Sequence, residues 1–482
     1  MNQHVRVRFA PSPTGYLHVG GLRTALYNYL FARHHGGSFV LRIEDTDQSR
    51  KVEGAVENLI ETLAWVGIEY DEGPVKEGKY GPYFQSERLP IYHTHARELI
   101  QKGHAYRCFC TPQRLEEARK KQLAMKESGA YDQHCRSVLP EEADRRAEAG
   151  EPHVVRMKIP LEGELDFDDL IRGSITISYS VLDDQVLVKS DGFPTYHLAV
   201  VVDDYLMGIT HVIRGEEWLP STPKHILLFR YFGWNLPAFA HLPLLLNPDK
   251  SKLSKRQGDV AVEDYRRKGY LKEAMVNFGA FLGWNPGDER EIFSMEQLIR
   301  EFSLDRVGKS GAVFNIDKLN WFNQQHLKEK SIAEVVELVK PLFEDAGIRN
   351  PDGEFLYKIV ALLRERVTTL PEFVTSSSYF FHDPVSFDEK GKQKYLTEEA
   401  LNYLSTLADR FESDVSFNPG SIEQTLRSLS EELQISAGKL IHPTRLAMTG
   451  MTAGPGLFEL MEVLGKNTVV RRMRNVKKII HS

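Results

Sequence analysis

Hydrophobic and polar positions along the first 70 residues change their period in a regular order. Residues 5–9 alternate with period two, which predicts a strand, and two prolines interrupt regular structure directly after it. Residues 22–30 carry apolar side chains at helical spacing, and a pair of glycines ends that predicted helix. A second strand over residues 38–43 and a helix with an apolar face over residues 56–63 follow. This strand–helix–strand–helix order favours a parallel sheet with right-handed crossovers.

The rest of the chain has a different character. Residues 84–194 combine a charged helical stretch with short alternating strands such as residues 174–178, which predicts an inserted α+β module. Apolar runs typical of strands return at residues 198–202 and 241–246. Strand patterns almost disappear beyond residue 260, and a capping box at residues 331–334 opens an amphipathic helix. We therefore predict that the C-terminal part is mostly helical.

Composition narrows the class of protein. The 482 residues carry 61 Lys and Arg against 67 Asp and Glu, a formal net charge of −6, and 41% of them are hydrophobic. We therefore expect several domains with their own cores, and we exclude collagen-like, disordered and disulfide-scaffold proteins. No apolar run approaches the roughly 18 residues that a membrane span needs, and the first residues lack the apolar stretch of a signal peptide. We expect a cytoplasmic protein without membrane contact, and the charge leaves a nucleic-acid partner open.

The loop before the first predicted helix carries the first candidate for chemistry. It reads PSPTGYLHVGG over residues 11–21. A helix N-terminus presents unpaired amides and the positive end of the helix dipole, which favour a phosphate group. Gly20 and Gly21 allow a ligand to approach the backbone closely, and His18 can donate to a phosphate oxygen. On these residues alone, an ordinary turn with an incidental histidine explains the segment equally well.

The second candidate is the basic segment KLSKR at residues 252–256, which follows a predicted strand. Lys252 and Lys255 lie three positions apart and could clamp a triphosphate and the pyrophosphate that leaves it. Taken by itself, such a charge cluster is more often a solvated surface. The two candidates carry more weight together than either does alone.

Together these segments resemble the two ATP signatures of the class I aminoacyl-tRNA synthetases. HVGG at residues 18–21 stands where that class has its HIGH motif, and KLSKR stands some 230 residues later where it has KMSKS. Further segments are similar to the bacterial type of glutamyl-tRNA synthetase: RFAPSPTG at 8–15, RIEDTD at 42–47, DGFPTY at 191–196, VDD at 202–204, HVIRGEE at 211–217, AVFN at 312–315 and PGLFE at 455–459. The resemblance runs from residue 6 to about residue 465.

The resemblance implies an α/β fold of the class I synthetase type, with a Rossmann-type parallel sheet. An inserted α+β domain binds the tRNA acceptor stem in such proteins, and all-α domains follow at the C-terminus. The implied division is a catalytic domain in two halves at 1–83 and 195–250, the inserted domain at 84–194, a stem-contact domain carrying KLSKR at 251–331, and a helical anticodon-binding region at 332–482 split near 387.

The implied activity is the ATP-dependent ligation of L-glutamate to tRNA-Glu, with Mg²⁺ accompanying the ATP. The α-carboxylate of glutamate attacks the α-phosphorus, pyrophosphate leaves, and the terminal ribose hydroxyl of the tRNA then attacks the glutamyl-adenylate. Charge builds up on phosphate oxygens, so we expect His18, Lys252 and Lys255 to be catalytic, and no protein nucleophile is needed. The ATP-binding positions that the resemblance implies are Ser12, Gly15, His18, Gly20, Gly21, Lys252, Ser254 and Lys255.

For glutamate, the family's contacts fall on Arg8, Ala10, Ser12, Glu44, Tyr196 and Arg214. Independently of the family, the guanidinium of Arg8 suits a carboxylate, because its planar fork can donate two hydrogen bonds. Glu44 could receive the ammonium group of the substrate, and Arg214 adds a second positive group. Without the motifs, these residues would be interpreted as ordinary salt bridges and a core tyrosine. One contact departs, because some relatives have an asparagine where this chain has Val200.

The cysteines resemble a zinc module that some bacterial relatives carry in the inserted domain. Cys108 and Cys110 are followed, after 24 residues, by Cys135. Those relatives have a histidine two residues later, where this chain has Ser137, and a hydroxyl is a poor zinc ligand. Tyr131 lies near the spacing at which shorter relatives, which glutamylate a modified tRNA base, use a tyrosine. Two interpretations stay open: zinc bound by the three cysteines and Tyr131, or reduced thiols without a ligand.

In the family, the C-terminal helical domains bind the anticodon. An arginine in the segment that corresponds to LRER at residues 363–366 inspects the third anticodon base, and Arg366 is the first candidate here, with Arg364 as the second. An arginine there is typical of members that charge only tRNA-Glu; the alternative is an enzyme that also glutamylates tRNA-Gln. Relatives of this length are mostly monomers. A basic tail adds a face that suits phosphate contacts or is simply solvated: Arg471, Arg472, Arg474, Lys477 and Lys478.

Other interpretations leave more of the chain unexplained. A glutaminyl-tRNA synthetase shares the catalytic half, but β-barrels form its anticodon-binding part, and no strand-rich C-terminus is predicted here. A shorter tRNA-modifying relative lacks the C-terminal domains. A small nucleotidyltransferase such as a pantetheine-phosphate adenylyltransferase has an HxGH-type motif but leaves residues 84–482 without a role. A non-catalytic RNA-binding protein would not need both HVGG and the lysine pair.

Overall fold

The computed structural model describes residues 4–125, 129–253, 261–348 and 353–481. The chain forms two compact units. The first comprises Met1–Arg266 and Lys272–Ile316, and the second comprises Arg267–Leu271 and Asp317–Ser482. Each unit has its own buried apolar residues.

The first unit mixes strands and helices. Its strands are β1 (Arg6–Phe9), β2 (Ser38–Leu41), β3 (Ala105–Cys108), β4 (Val154–Met157), β5 (Glu164–Asp169), β6 (Gly173–Ser178), β7 (Val186–Val188), β8 (His211–Gly215), β9 (Ala238–Leu242), β10 (Leu245–Leu246) and β11 (Ala312–Val313). Its helices are α1 (Val19–His34), α2 (Ala55–Trp65), α3 (Leu89–Gln101), α4 (Pro112–Ala124), α5 (Pro140–Glu148), α6 (Tyr196–Leu206), α7 (Thr222–Phe232), α8 (Val262–Arg267), α9 (Lys272–Phe281) and α10 (Met295–Glu301).

Parallel strands organise the centre of this unit, as the sequence pattern predicts. β1 pairs in parallel with β2, and β8 pairs in parallel with β9 so that Arg214 lies opposite His241. Thr210 joins the two pairs, because its amide donates to the Arg6 carbonyl at 2.8 Å and its hydroxyl accepts from the Arg6 amide at 2.8 Å. The carboxyl ends of parallel strands are where ligands bind in open α/β sheets. Arg8 on β1 and Arg214 on β8 lie near those ends.

The strand predicted at residues 198–202 is wrong, because these residues lie inside the helix α6. Every residue from 198 to 204 is buried, so the segment has no polar face to reveal its helical period. A short apolar run cannot by itself distinguish a buried strand from a buried helix. The strand predicted at 241–246 is divided into β9 and β10, with Pro243, which lacks an amide donor, between them.

The inserted segment has the predicted α+β character. β3, β4 and β7 form an antiparallel sheet, and β5 and β6 form a hairpin. The hairpin joins the larger sheet, whose strand order is β6-β5-β9-β8. This arrangement places Asp169, at the end of β5, beside β9, where its carboxylate receives a hydrogen bond from His241.

The second unit is helical over the residues that the structure describes. The capping box at Ser331 and Glu334 is confirmed, since each side chain bonds the other's backbone amide. No described helix is both long and apolar enough to cross a membrane. The finer domain boundaries stay a prediction. The helices are α11 (Ile316–Glu329), α12 (Ile332–Asp345), α13 (Gly353–Leu363), α14 (Leu370–Thr375), α15 (Ser378–Phe381), α16 (Glu389–Tyr395), α17 (Glu398–Ser413), α18 (Pro419–Glu432), α19 (Gly438–Thr449), α20 (Leu457–Leu464) and α21 (Lys466–His481).

Candidate active site

A cavity of about 460 Å³ opens at the carboxyl ends of β1 and β8. Its wall contains every described residue that the sequence predicts to bind ATP or glutamate: Arg8, Ala10, Ser12, Gly15, His18, Gly20, Gly21, Glu44, Tyr196, Arg214 and Lys252. The predicted ATP residues Ser254 and Lys255 lie outside the described residues. Distant parts of the chain thus meet in one cavity with both predicted subsites.

The HVGG segment forms the start of α1. His18 is the N-cap residue, and its Nδ1 accepts a hydrogen bond from the Gly21 amide at 3.0 Å. A Cβ atom at position 20 would lie 3.1 Å from the His18 ring, and one at position 21 would lie 2.7 Å from Leu17. Gly20 therefore leaves room for the imidazole to fold back over the helix end, and Gly21 leaves room for the Leu17 side chain. A neutral His18 carries its proton on Nε2, the donor that a phosphate contact requires.

Lys252 is held at the cavity by a tight loop after β10. The Asn247 amide donates to the Ser251 carbonyl at 2.8 Å, and the Leu253 amide donates to the Leu245 carbonyl at 2.9 Å. These bonds turn the chain back, so that Lys252 pairs with the end of β10. The ammonium group remains exposed, and its positive charge is available at the cavity wall.

Four buried side chains form a charge-balanced cluster beside the cavity. Arg8 donates to both carboxylate oxygens of Asp204, at 3.0 and 3.4 Å. Arg42 donates to Asp204 at 2.8 Å and to Glu44 at 3.0 Å. Burial raises the pKa of Glu44, although Arg42 and Arg8 oppose that effect. Burial acts in the same direction on Asp204, but Arg8 and Arg42 outweigh it and hold the pKa of Asp204 below its ordinary value.

Asp203, the neighbour of Asp204 on α6, connects this helix to the start of the inserted segment. Its carboxylate receives hydrogen bonds from Arg88 at 2.8 Å, Gln85 at 2.9 Å and Tyr92 at 2.7 Å. The VDD segment is one of those that resemble the family, but no role was predicted for either acid from the sequence. A signal was present, since acids inside an apolar run become buried, and a buried charge needs partners.

Arg214 is buried in a setting without acidic partners. Its Nε donates to His241 Nε2 at 3.1 Å, and its Nη1 donates to the Tyr196 hydroxyl at 3.1 Å. Its Nη2 donates to the Thr222 hydroxyl at 2.9 Å, and both terminal nitrogens lie 3.2 Å from His225 Nδ1. Every hydrogen-bond acceptor that the described residues give Arg214 is therefore an uncharged group.

Two further residues of this wall were not predicted from the sequence. Trp218 and Glu217 line the cavity directly after β8, and the Trp218 ring lies 4.0 Å from the ring of Tyr196 between centroids. The signal was their position beside Arg214 in the HVIRGEE segment and just after it. An aromatic wall suits the flat face of a nucleobase or the alkyl chain of an amino acid.

The three cysteines and Tyr131 meet in the inserted segment. Their Sγ atoms lie within 4.8 Å of one another, with Cys110 and Cys135 at 3.5 Å. The Tyr131 hydroxyl lies 3.2 Å from Cys108 Sγ and 3.6 Å from Cys110 Sγ, and it accepts from the Cys135 amide at 2.9 Å. Ser137, which stands in the place of the histidine of the relatives, is exposed. Tertiary packing thus collects four candidate ligand atoms.

The predicted anticodon residues differ in their surroundings within the second unit. Arg364 donates to the Lys330 carbonyl at 2.9 Å, and its terminal nitrogen lies 3.8 Å from Glu365. Arg366 is exposed. Of the two, Arg366 therefore has the side chain that a nucleic acid can reach more easily.

The basic tail is largely occupied by internal contacts, which corrects part of the predicted phosphate-binding face. Arg472 is buried and donates to the Met448 carbonyl and to Asp383 at 2.8 Å, so it does not belong to an exposed face. Arg471 also pairs with Asp383, and Arg474 pairs with acids on α17. Lys477 and Lys478 are exposed, as predicted.

Comparison with known protein families identifies the family to which the chain belongs. A family model described as "tRNA synthetases class I (E and Q), catalytic domain" matches residues 4–321, and one described as "Anticodon binding domain" matches residues 334–477. The chain belongs to the class I tRNA synthetases for glutamate and glutamine. The predicted resemblance and the expected ligase class are confirmed for this synthetase.

Individual relatives match the synthetase over its whole length. It is 52% identical to a glutamate–tRNA ligase from Chlorobaculum parvum, across 99% of this chain and 98% of that protein. It is 51% identical to one from Chlorobium luteolum, across 98% and 97%. Its fold matches the crystal structure of a glutamate tRNA ligase from Elizabethkingia meningosepticum in complex with its amino acid, with a TM-score of 0.93 and 41% identity over 100% of both chains.

Proposed function

We propose that this synthetase is a glutamate–tRNA ligase that forms glutamyl-adenylate and transfers the glutamyl group to tRNA-Glu. The main support is that one cavity contains both the described residues expected to bind ATP and those expected to bind glutamate. The relatives that match the chain over nearly its whole length carry that name. The helical second unit agrees with this choice, since β-barrels would be expected for a glutaminyl-tRNA synthetase.

In the first step, an oxygen of the glutamate α-carboxylate forms a bond to the α-phosphorus of ATP. The bond from that phosphorus to the pyrophosphate oxygen breaks, and pyrophosphate leaves with the electron pair. His18 and the N-terminus of α1 stabilise the charge on the phosphate oxygens, and Lys252 binds the departing phosphates together with Lys255. The bound nucleotide carries Mg²⁺, which neutralises part of the same charge.

In the second step, the terminal ribose hydroxyl of the tRNA attacks the carbonyl carbon of glutamyl-adenylate. An ester bond forms, AMP leaves, and the hydroxyl proton is lost to the phosphate or to solvent. The residues of the cavity act by orienting the two reactants, since a mixed anhydride is already activated. Glu44 receives the ammonium group of the amino acid, while Arg8, Tyr196 and Arg214 face its carboxylates.

A charging assay tests this function. Purified protein, ATP and Mg²⁺ are mixed with labelled glutamate or glutamine and with tRNA-Glu or tRNA-Gln. We expect glutamate to be attached to tRNA-Glu, and Lys252→Ala to lose far more turnover than Lys102→Ala, an exposed lysine that does not line the cavity. Attachment of glutamine instead, or of neither amino acid, would refute the proposal.

We further propose that the enzyme charges only tRNA-Glu and that Arg366 inspects the third anticodon base. The exposed guanidinium of Arg366 supports this choice over Arg364, whose guanidinium donates to the Lys330 carbonyl. We expect Arg366→Ala to raise the ratio of tRNA-Gln to tRNA-Glu charging, with Arg364→Ala as the matched control. Equal charging of both tRNAs by the unaltered enzyme would instead favour the non-discriminating alternative.

The cysteine cluster fits a structural zinc ion held by Cys108, Cys110, Cys135 and the Tyr131 oxygen. Tetrahedral zinc places its ligand atoms about 3.5–4 Å apart, which agrees with the 3.5 Å between two of the sulfurs. The Cys135 amide, which donates to the Tyr131 oxygen, would stabilise a metal-bound phenolate. Metal analysis after purification without chelators should give one zinc per chain, reduced in Cys135→Ser. A zinc content near zero would contradict the zinc site and favour reduced thiols without a ligand.

A further inference from the structure

The acceptors that face the five N–H groups of Arg214 are all uncharged. A guanidinium can only donate, so each nitrogen of a histidine that faces it must act as an acceptor. His241 Nε2 and His225 Nδ1 therefore carry no proton when they bond Arg214. Both histidines are buried, and neither lines the cavity.

A second set of contacts fixes on which ring nitrogen each of these two histidines carries its proton. The other nitrogen of His241, Nδ1, donates to Asp169 at 2.6 Å, and the other nitrogen of His225, Nε2, donates to His197 Nδ1 at 3.0 Å. Each ring thus holds its single proton on the side away from Arg214. Burial, followed by the charge of Arg214, also lowers the pKa of His225 far below its ordinary value.

The direct partners of the buried arginines Arg8, Arg42 and Arg214 make this arrangement selective. The cluster of Arg8, Arg42, Glu44 and Asp204 contains two positive and two negative groups, so it sums to zero. Arg214 adds one positive charge that none of its direct hydrogen-bond partners cancels, and the Asp169 carboxylate is separated from it by the ring of His241. Glutamate carries one net negative charge, whereas glutamine carries none. A buried charge without a counter-charge is unfavourable, so the site gains more from glutamate.

We propose that His225 and His241 are positioning residues for the choice of amino acid: their unprotonated nitrogens hold Arg214 without cancelling its charge, which favours a side-chain carboxylate over an amide. The inference rests on the proposed activation of glutamate. Because the two histidines lie behind Arg214 and outside the cavity wall, they act through its guanidinium rather than on the substrate.

The decisive pair of variants is His225→Asp and His225→Asn. Both side chains have nearly the same shape and can offer an oxygen near the place of Nδ1, but only the aspartate supplies a counter-charge to Arg214. We expect His225→Asp to raise the KM for glutamate by about 10- to 100-fold and to lower the glutamate-to-glutamine ratio of kcat/KM by a similar factor. His225→Asn should keep that ratio within about threefold, and the KM for ATP should change little in either variant.

A second variant acts on the other histidine and keeps the test open if His225→Asp does not fold. In Asp169→Asn, the amide of the new side chain can donate to His241 Nδ1, which would move the ring proton to Nε2 and turn it against the Arg214 Nε–H. We expect the KM for glutamate to rise by about tenfold and the glutamate-to-glutamine ratio of kcat/KM to fall, in a chain that thermal melting shows to be folded.

The outcomes separate the inference from the function on which it rests. If the unaltered protein does not charge tRNA with glutamate, the proposed function fails first. If it does, and the folded variants His225→Asp and Asp169→Asn keep the glutamate-to-glutamine ratio of His225→Asn, the positioning role is overturned. A lower ratio in His225→Asp and in Asp169→Asn, with the ratio kept in His225→Asn, supports the positioning role.

Discussion

Two buried arginines reach the same cavity in opposite electrostatic settings. Arg8 is paired with the carboxylate of Asp204, which it shares with Arg42. Arg214 is held by two histidines, a tyrosine and a threonine, all uncharged. Residue type and burial are alike, yet one arginine has its charge balanced within the protein and the other retains it. The partners of a buried charge, rather than the charge itself, decide how much of that charge is left for a ligand.

Removing the balancing acid should have the largest effect on stability. Asp204→Asn keeps the shape of the side chain but leaves Arg8 and Arg42 buried without their shared carboxylate. Breaking a buried ion pair on one side costs about 3–5 kcal/mol, and we expect a loss of that size in the free energy of unfolding of the first unit. Thermal and urea unfolding measure it. Asp409→Asn, at an exposed ion pair with Arg474, should change stability by about 0.5 kcal/mol or less.

The matching change at Arg214 should affect the use of glutamate more than the stability of the fold. Arg214→Gln removes the uncompensated charge, and we expect kcat/KM for glutamate to fall by about 30- to 1000-fold, or 2–4 kcal/mol. Stability should fall less than in Asp204→Asn, because Arg214→Gln leaves no buried charged group without its partner. A variant that unfolds as easily as Asp204→Asn while retaining its use of glutamate would reverse the comparison.

The uncharged histidines near Arg214 predict a pH dependence of stability. The charge-balanced cluster of Arg8, Arg42, Glu44 and Asp204 does not share it. Burial, with Lys224 and Arg214, lowers the pKa of His197 to about 4, below the ordinary 6.5. A histidine with a lowered folded-state pKa contributes stability above pH 6.5 that is lost as the pH falls toward 4. We expect a loss of about 2 kcal/mol between pH 7.5 and pH 5 that is missing in His197→Asn. Parallel pH curves for the two proteins would contradict this.

A smaller effect should come from the hydrogen bonds that hold the acids in place. Tyr92→Phe removes one of three neighbouring donors to Asp203, and Arg88 and Gln85 remain. We expect the free energy of unfolding to fall by about 1–2 kcal/mol, less than for Asp204→Asn. Tyr403→Phe removes an exposed hydroxyl that bonds Glu399 and should have an effect within about 0.5 kcal/mol. If both tyrosine variants behave alike, the buried network adds nothing to stability.

The sequence was most informative where the deciding interactions are local. The HVGG segment predicted a helix start with a histidine beside it, and His18 caps α1 through a bond to a residue three positions away. The capping box at residues 331–334 and the first two strands and helices also follow from near neighbours. The prediction of a strand at 198–202 was wrong for the opposite reason. Distant segments bury this part of α6, so no polar face marks its helical period in the sequence.

The sequence by itself determined the family, the alternation of strands and helices near the N-terminus, and a set of predicted binding residues whose described members line the cavity. It did so because motifs and periodicities are recorded in neighbouring positions. Only the tertiary structure decided which of the two arginines is neutralised. Arg8 meets Asp204 and Arg214 meets His241 across 196 and 27 positions of the chain. The packing of β1, α6, β8 and β9 brings those groups together, and no local pattern encodes that contact.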